Sequence, residues 1–432
     1  MTDYTVKCLK CGKTYPKNRY ITRCENGCES LLRTVYKKKK LDVNTENTGI
    51  WKYSEWLPIE KVDNKILEST STFSMYISKK LARYLGLRNV IICLNIYKHG
   101  EKTGMRTGTF KDIEAELSFQ RIFGTKDNGK PFVLSSDGNI ATSFIHYSNI
   151  LRYPIVISVT QEALTKRIWS FSKTNPYATI ISLGKECDYY DAICLANDLG
   201  KQDEFILEGG TLNVARRDGV GTIMLESSHM LGHLPDHYFQ ALGSGPGAIA
   251  AYEASLRLLK DGTYGTKLPK IHGSQNHPFV PMHDAWKEKS HVIDERYTGE
   301  QAKELIKRVY AHVLTNRRPA YGIKGGVFDS LKATKGEFYS VTNGEAKKAQ
   351  ALFKKLEGYD IVPPAAVTVA SLIKAAENGT IRKDDHILLN ITGGGLDSME
   401  KERFKVEPSI RFTKKGTGTK DIIEKMKPWK KK

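Results

Sequence analysis

Residues 101–117, EKTGMRTGTFKDIEAEL, decide how the rest of the chain is interpreted. A loop rich in glycine and threonine ends at Thr109, after which apolar residues recur at helical spacing. Thr109 and Asp112 have the spacing of a capping box, which predicts a helix start. Lys111 then falls in the first turn, where the helix dipole disfavours an ammonium and eases its deprotonation. Such a lysine suits Schiff-base chemistry with an aldehyde cofactor; the alternative is a solvated lysine beside Asp112.

Length and composition define the broad class. The chain has 432 residues, enough for two or three domains and a large apolar core. It contains no run of about 18 apolar residues that would span a membrane. The first residues, MTDYTVKCLKCGK, lack the apolar core of a signal peptide. We therefore expect a cytoplasmic protein that does not bind membranes.

The formal charge of +19 is concentrated in two places, YKKKK at residues 36–40 and the end of the chain at residues 414–432. We interpret the end as a solvated basic tail, because no base-stacking aromatic motif or recognition helix accompanies it, and we expect no nucleic-acid partner. The alternative from another functional class is a zinc-ribbon, nucleic-acid-binding protein with an idle α/β body.

Four of the seven cysteines lie in residues 1–35, as Cys8-x-x-Cys11 and Cys24-x-x-x-Cys28. Two thiolate pairs at this spacing can close a tetrahedron around zinc, and a segment this short needs a staple to be stable. The second pair is one residue longer than usual. The pattern leaves two interpretations, a ribbon-like zinc site or four reduced cysteines packed on a neighbouring domain.

From Phe73 onward, helical stretches alternate with short apolar runs, which predicts a wound α/β fold. Residues 71–87 are predicted as a helix and residues 89–98 as a buried strand. The further predicted strands are 131–136, 154–159, 178–183, 204–209, 237–245, 267–274, 336–342 and 386–392.

Three further junctions carry chemistry. Residues 135–139, SSDGN, end a predicted strand and start a helix, where amides bind carboxylates and an asparagine can donate to a phenolate. Residues 243–248, GSGPGA, let backbone amides close on a phosphate at a helix start. Residues 390–396, NITGGGL, place a hydroxyl at the end of the last strand, where it can face a buried pyridine nitrogen. The respective alternatives are an ordinary turn, a tightly packed helix start and a turn threonine.

The four segments occur in an order that resembles the threonine synthase and cysteate synthase family of fold-type-II pyridoxal-phosphate enzymes. Residues 109–112, TFKD, match the lysine segment of that family, but Ile113 and Glu114 replace the Arg and Gly usual in threonine synthases. A Phe-Lys-(Asp/Glu)-x-Glu-Ala form is similar to cysteate synthases. The resemblance implies an α/β fold like the tryptophan synthase β chain, with two wound domains.

The resemblance also implies which residues bind the cofactor, pyridoxal 5′-phosphate. Lys111 is the catalytic lysine that carries it, the asparagine of the SSDGN loop meets its 3′ oxygen, the glycine loop holds its phosphate, and a threonine faces its ring nitrogen. The cofactor-binding residues implied are Lys111, Asn139, Gly243, Ser244, Gly245, Gly247 and Thr392.

The implied reaction is a β-replacement in which O-phospho-L-serine and sulfite give L-cysteate and phosphate. The loop residues Ser135, Ser136 and Gly138 hold the substrate carboxylate in this family. Because every reactant is an anion, the site needs positive charge, and Arg106 is our candidate for the phosphate or sulfite, with Lys98 and Lys102 beside it. The alternatives are a solvated Arg106, and threonine synthase activity on O-phosphohomoserine or another β-replacing synthase.

The predicted domain organisation follows from these positions. Residues 1–35 form the cysteine-rich segment, residues 36–98 and 204–412 the larger cofactor-binding domain, residues 99–203 the smaller domain, and residues 413–432 the basic tail. The family suggests a homo-oligomer.

Overall fold

The structure is a computed structural model that describes residues 2–60, 62–101, 103–411 and 419–426. Lys102 and most of the predicted tail lie outside the described residues. The strands are β1 (Tyr4–Cys8), β2 (Thr14–Pro16), β3 (Leu32–Tyr36), β4 (Ser74–Ser78), β5 (Asn89–Leu94), β6 (Phe132–Ser136), β7 (Ile155–Thr160), β8 (Trp169–Ser170), β9 (Ala178–Leu183), β10 (Ile206–Leu207), β11 (His237–Ala241), β12 (Lys270–Asn276), β13 (Glu337–Val341), β14 (His386–Ile391), β15 (Phe404–Lys405) and β16 (Ile410–Arg411).

Helices connect most of these strands, as the alternating pattern predicts. They are α1 (Asn64–Ser69), α2 (Lys79–Tyr84), α3 (Lys111–Phe123), α4 (Asn139–Leu151), α5 (Gln161–Lys166), α6 (Tyr189–Leu199), α7 (Val214–Leu231), α8 (Pro246–Asp261), α9 (Pro281–Lys287), α10 (Glu295–Thr298), α11 (Ala302–Lys307), α12 (Val327–Thr334), α13 (Asn343–Glu357), α14 (Pro363–Glu377), α15 (Leu396–Met399) and α16 (Thr419–Met426). None of these described helices is long and apolar enough to cross a bilayer.

The larger sheet has six strands in the order β13-β12-β11-β14-β5-β4, and only the edge strand β4 runs antiparallel to its neighbour. Successive residues of its central strands point to opposite faces. Val90 and Ile92 of β5 join the apolar cluster that contains α14, whereas Ile91 and Cys93 join the cluster that contains α7 and α8. Both faces are therefore covered by helices, as parallel sheets require.

The smaller sheet has five parallel strands in the order β10-β6-β7-β9-β16. Two of its strands come from segments that we assigned to the larger domain. Ile206 and Leu207 pair with β6, and Ile410 and Arg411 pair with β9. Chain segments on both sides of the predicted boundary at residue 204 therefore contribute to this sheet.

Most predicted strands are confirmed, but the helix predicted over residues 71–87 is wrong in its first half. Residues Ser74–Ser78 form β4, which pairs antiparallel with β5. The helix begins only at Lys79, because the Ser78 hydroxyl accepts a hydrogen bond from the Leu81 amide at 3.0 Å and caps it. An edge strand is half exposed, so its apolar pattern does not separate it from a helix.

The predicted solvated tail is also corrected in its described part. Residues Thr419–Met426 form α16, and Ile422 is buried in an apolar cluster with Leu199 of α6 and Phe205, which precedes β10. An apolar side chain that packs in this way makes α16 part of the fold rather than a solvated extension.

Candidate active site

A cavity of about 360 Å³ lies where the carboxyl ends of the two large sheets face each other. Its walls come from the segments that follow β6, β11 and β14 and from the start of α3. Ligand sites of α/β proteins commonly occupy this position. The predicted site residues that line it are Lys111, Ser135, Ser136, Gly138, Asn139, Gly243, Ser244, Gly245 and Thr392.

Lys111 is the first residue of α3, as predicted, but the predicted capping box is wrong. Phe110 occupies the N-cap position without a side-chain hydrogen bond, and the Thr109 hydroxyl lacks a partner among the described residues. The carboxylate of Asp112 instead accepts from the Thr107 amide at 2.7 Å and from the Ser71 hydroxyl at 3.0 Å. Asp112 therefore ties down the loop before the helix and does not cap it.

The loop before Lys111 is fixed directly to the end of β14. The Phe110 amide donates to the Thr392 carbonyl at 3.1 Å, and the Gly394 amide donates to the Gly108 carbonyl at 3.0 Å. A Cβ atom on Gly393 would lie 2.8 Å from the Gly108 carbonyl oxygen, so only glycine allows this approach. Two segments far apart in sequence thus set the position of Lys111 relative to Thr392.

The Lys111 amine lies in a buried chain of alternating charges. Its Nζ is 2.6 Å from Oε1 of Glu114, and Oε2 of Glu114 is 2.9 Å from Nη1 of Arg216. Arg216 also pairs with the buried Glu208. Burial lowers the pKa of Lys111, and the Glu114 carboxylate opposes that shift only in part. The amine is therefore held in place and is easier to deprotonate than an exposed lysine.

The glycine turn after β11 presents free backbone donors to the cavity. Within the described residues, the amides of Gly243, Ser244 and Gly245 donate no hydrogen bond. Gly245 has φ +89 and caps α8, whose first residue is Pro246. A Cβ atom on Gly245 would lie 2.3 Å from Val327. Unpaired amides at the start of a long helix form a binding site for an anion such as a phosphate.

The loop after β6 is a second set of polar groups on the cavity wall. The Ser136 hydroxyl accepts from the Gly138 amide at 3.1 Å and from the Ala141 amide at 2.9 Å, and α4 begins at Asn139. Asp137 also lines the cavity and forms an ion pair with Arg167 at 2.7 Å. Burial raises the pKa of Asp137 to about 6.

Thr392 directly follows β14 and has a buried hydroxyl without a partner in the described part of the chain. Its side chain is 4% exposed, and among the described residues its Oγ1 has no hydrogen-bond partner although it is shielded from solvent. Such a hydroxyl is costly unless a ligand satisfies it. A half-buried amine, free amides and an unpaired hydroxyl around one cavity fit the aldehyde, phosphate and ring nitrogen of pyridoxal phosphate.

Two predicted residues do not line the cavity. A Cβ atom on Gly247 would lie 2.1 Å from Oε1 of Gln240, so this glycine allows α8 to pack against the end of β11. Arg106 donates from Nε to the Ser69 carbonyl at 3.2 Å and is turned to another side of the loop. Arg106 is therefore not among the residues that line the cavity, and its binding of phosphate or sulfite stays a prediction.

Three residues that line the cavity, and one beside it, were not predicted as site residues. Glu114 and Arg216 complete the buried charge chain, and Arg23 and Arg318 line the wall near the surface. The i, i+3 spacing of Lys111 and Glu114 is a sequence signal for their pairing. The other three lie far from Lys111 in sequence and carry no local signal.

The four predicted metal ligands come together beside a three-stranded antiparallel sheet in the order β2-β1-β3. One ligand atom from each of Cys8, Cys11, Cys24 and Cys28 lies within 4.8 Å of all the others, and the sulfurs of Cys11 and Cys24 are 3.6 Å apart. A tetrahedral zinc site with Zn–S bonds of about 2.3 Å needs sulfurs about 3.8 Å apart. This four-cysteine cluster therefore fits zinc, and its cysteines form no disulfide.

Comparison with known proteins agrees with this geometry. The family model described as pyridoxal-phosphate dependent enzyme matches residues 90–393. The chain is 42% identical over 412 residues to a cysteate synthase of Methanosarcina acetivorans, which covers 95% of this chain and 97% of that protein. It is 41% identical over 429 residues to a cysteate synthase of Methanocella arvoryzae, covering 98% and 99% respectively.

Solved structures show the same fold at low sequence identity. A pyridoxal 5′-phosphate-dependent aspartate racemase aligns with a TM-score of 0.57 at 14% identity, covering 75% of this chain and 90% of that chain. Maize serine racemase aligns with a TM-score of 0.55 at 12% identity, covering 76% and 92%. Together with the curated relatives, these matches show that the chain belongs to the fold-type-II family of pyridoxal-phosphate dependent enzymes and, within it, to the cysteate synthases.

Proposed function

We propose that the protein converts O-phospho-L-serine and sulfite into L-cysteate and phosphate, with pyridoxal phosphate as cofactor. The observation that carries this proposal is the half-buried Lys111 amine, which shares one cavity with a free-amide turn and the unpaired Thr392 hydroxyl. Identity of about 40% to cysteate synthases over nearly the whole chain supports this reaction over that of threonine synthase.

We assign the cofactor to these residues. Lys111 would carry its aldehyde, the Gly243–Gly245 amides and Ser244 would receive its phosphate, Asn139 would face its ring oxygen, and Thr392 would face its ring nitrogen. When bound, pyridoxal phosphate supplies an electron sink for the carbon next to the substrate amino group. A neutral hydroxyl opposite the ring nitrogen leaves that nitrogen largely unprotonated, which suits replacement at the β carbon more than transamination.

Lys111 also moves the proton in this proposal. After the substrate amino group has displaced Lys111 from the cofactor, the freed Nζ would take the α proton of phosphoserine, and only the neutral amine accepts a proton. Burial lowers the pKa of Lys111 and so increases the neutral fraction at a given pH. The Glu114 carboxylate, 2.6 Å from Nζ, then stabilises the ammonium that forms. Glu114 therefore acts through Lys111 as a positioning residue.

The substrate carboxylate is assigned to the loop of Ser135, Ser136 and Gly138 at the start of α4. The Ser136 hydroxyl holds this loop in its turn by accepting from two amides. The ion pair between Asp137 and Arg167 keeps the acidic side chain of the loop paired, so that a carboxylate can approach.

Product analysis tests the proposal. The reconstituted protein is incubated with O-phospho-L-serine and sulfite, and in parallel with O-phosphohomoserine alone, while phosphate and amino-acid products are measured. We expect phosphate and cysteate only in the first mixture. Phosphate release only from phosphohomoserine would identify a threonine synthase instead. Sulfide and amines in place of sulfite test the other β-replacing synthases.

The domain organisation, oligomeric state and location of the protein are also proposed. We infer a larger and a smaller α/β domain with the cavity between them, a homo-oligomeric state, a cytoplasmic location and no nucleic-acid partner. Light scattering on the purified protein measures the oligomeric state. A binding titration with duplex and single-stranded DNA at low and high salt tests the nucleic-acid alternative, for which salt-dependent binding is the expected sign.

A further inference from the structure

Two unpaired arginines stand at the wall of the cavity. Four basic side chains line it, and two of these, Lys111 and Arg216, are neutralised by Glu114 and Glu208. The other two, Arg23 and Arg318, are exposed, and within the described ranges neither forms an ion pair. They are therefore the cationic groups of this wall that are available to an anion from solution.

Arg318 is tied to the proposed phosphate turn. Its amide donates to Oδ1 of Asn316 at 2.9 Å, and Nδ2 of Asn316 donates to the Ser244 hydroxyl at 2.7 Å. The Arg318 guanidinium lies over the Tyr190 ring at 5.2 Å. This contact orients the guanidinium without neutralising it.

Arg23 comes from the cysteine-rich segment, directly before Cys24. The loop that carries it is fixed on one side to the cavity wall, because the Tyr20 hydroxyl donates to the Glu208 carbonyl at 3.2 Å and Arg121 donates to the Ile21 carbonyl at 3.2 Å. Thr22 packs closely on Gly209, because a Cβ atom on Gly209 would lie 2.5 Å from Cγ2 of Thr22.

The other side of the same loop is fixed to a second wall segment. The Leu31 amide donates to the Lys324 carbonyl at 2.9 Å, and the Lys324 amide donates to the Glu29 carbonyl at 3.2 Å. Ile323, next to Lys324, lines the cavity. Residues 20–31 therefore join two parts of the cavity wall, and they supply two of the four cysteines of the cluster, Cys24 and Cys28.

The cluster has the backbone geometry of two metal-binding turns. The Gly12 amide donates to the Cys8 carbonyl at 3.1 Å, and the Gly27 amide donates to the Cys24 carbonyl at 3.0 Å. Both glycines have positive φ, +77 and +67. Four thiolates leave no open coordination position, so a bound zinc ion is structural.

We propose that zinc in the four-cysteine cluster fixes residues 20–28 on the cavity wall so that Arg23, together with Arg318, binds an oxyanion of the reaction. The ligand chemistry is a tetrahedral or pyramidal oxyanion, which is either the phosphate of phosphoserine or free sulfite. A guanidinium suits both because its donors form a planar fork. This inference rests on the proposed function and adds specificity-determining residues to it.

Arg23→Gln and Arg318→Gln test the arginines, with Arg19→Gln as the matched control. Arg19 lies in the same loop but pairs with Glu25 and does not line the cavity. Titration of the cofactor absorbance with phosphoserine alone measures the affinity for the phosphate-bearing substrate. The KM for sulfite at saturating phosphoserine measures the contribution to sulfite binding. A charge-assisted contact predicts that one of the two constants rises about 10- to 100-fold in each cavity variant.

We expect both constants of the control Arg19→Gln to stay within twofold of wild type. If both constants of Arg23→Gln also stay within twofold of wild type, the inference is overturned. The cofactor absorbance shows in every variant that the protein is folded and loaded. Wild-type protein that releases no phosphate from phosphoserine and sulfite would defeat the proposed function. Wild-type turnover with an unchanged Arg23→Gln constant would defeat only the present inference.

Metal analysis and Cys11→Ser test the zinc. We expect one zinc ion per chain in the wild-type protein and none in Cys11→Ser. The constant that rises in Arg23→Gln, for phosphoserine or for sulfite, should also rise in Cys11→Ser, while the cofactor absorbance is retained. Because Cys11→Ser acts through Arg23, it should add no further rise in the Arg23→Gln background. Metal-free wild-type protein with the normal constant, or additive effects of the two substitutions, would contradict the proposal.

Discussion

Thr392→Val should stabilise the protein without cofactor and weaken its affinity for pyridoxal phosphate. The Thr392 Oγ1 is shielded from solvent and has no partner among the described residues. A buried hydroxyl in that state costs about 1–3 kcal/mol of stability. Valine has the same shape and no hydroxyl, so the unfolding free energy of the apoprotein should rise by a similar amount.

The effect on the cofactor has the opposite sign. If Thr392 donates to the ring nitrogen, valine leaves that nitrogen buried without a partner, which costs about 1–3 kcal/mol of binding free energy. This corresponds to a dissociation constant about 5- to 150-fold higher. Urea unfolding of the apoprotein measures the first effect, and titration of the visible cofactor band measures the second.

Thr368→Val is the matched control for the stability arm. The Thr368 hydroxyl is fully buried and accepts from the Ala241 amide at 2.8 Å. Its removal leaves that amide without a partner and should lower the unfolding free energy by about 1–3 kcal/mol. A Thr392→Val apoprotein that is destabilised like the control, or that binds cofactor as tightly as wild type, would refute the assignment of Thr392.

Three other predictions follow from buried groups near the site. Glu114→Gln should lower the unfolding free energy of the apoprotein by about 3 kcal/mol, because it removes the carboxylate between Lys111 and Arg216. Urea titration measures this change, and an unchanged urea midpoint would contradict the charge chain. Gly245→Ala should weaken cofactor binding and lower stability by about 1–3 kcal/mol, because φ there is +89 and the added Cβ meets Val327; wild-type affinity would contradict the proposed turn. The Nε2 atom of His146 is shielded from solvent, and this desolvation lowers the pKa of His146 to about 4. The unfolded chain therefore binds the proton first, and stability falls as pH drops from about 6.5 to about 4. His146→Phe should therefore lose about 3 kcal/mol less than wild type over that window, in urea titrations at several pH values, and parallel profiles would contradict this.

The sequence carried enough information for the fold's strands and for most of the cavity. Buried parallel strands such as residues 89–94 are continuous apolar runs, which differ clearly from loops. The lysine, glycine and threonine segments lie at strand ends, and parallel strands bring their carboxyl ends to one edge. Their approach in space therefore follows from the predicted topology.

The arginines of the cavity could not be predicted from the sequence, because their positions depend on contacts between distant segments. Arg216 meets Glu114 across 102 residues, and Arg23 reaches the cavity because its loop is tied to residues 208 and 324. Arg106 is near Lys111 in sequence, yet its guanidinium is directed to the Ser69 carbonyl. Proximity along the chain was a poor guide to which arginine faces the cavity.

Peptide mapping after borohydride reduction tests the central claim most directly. The protein loaded with pyridoxal phosphate is reduced and digested, and the modified peptide is identified by mass spectrometry. The account predicts that the cofactor is attached to Lys111, in the peptide that contains residues 109–112, and that Lys111→Ala loses both the label and the visible absorption band. A label on a different lysine, or an unchanged band in Lys111→Ala, would contradict it.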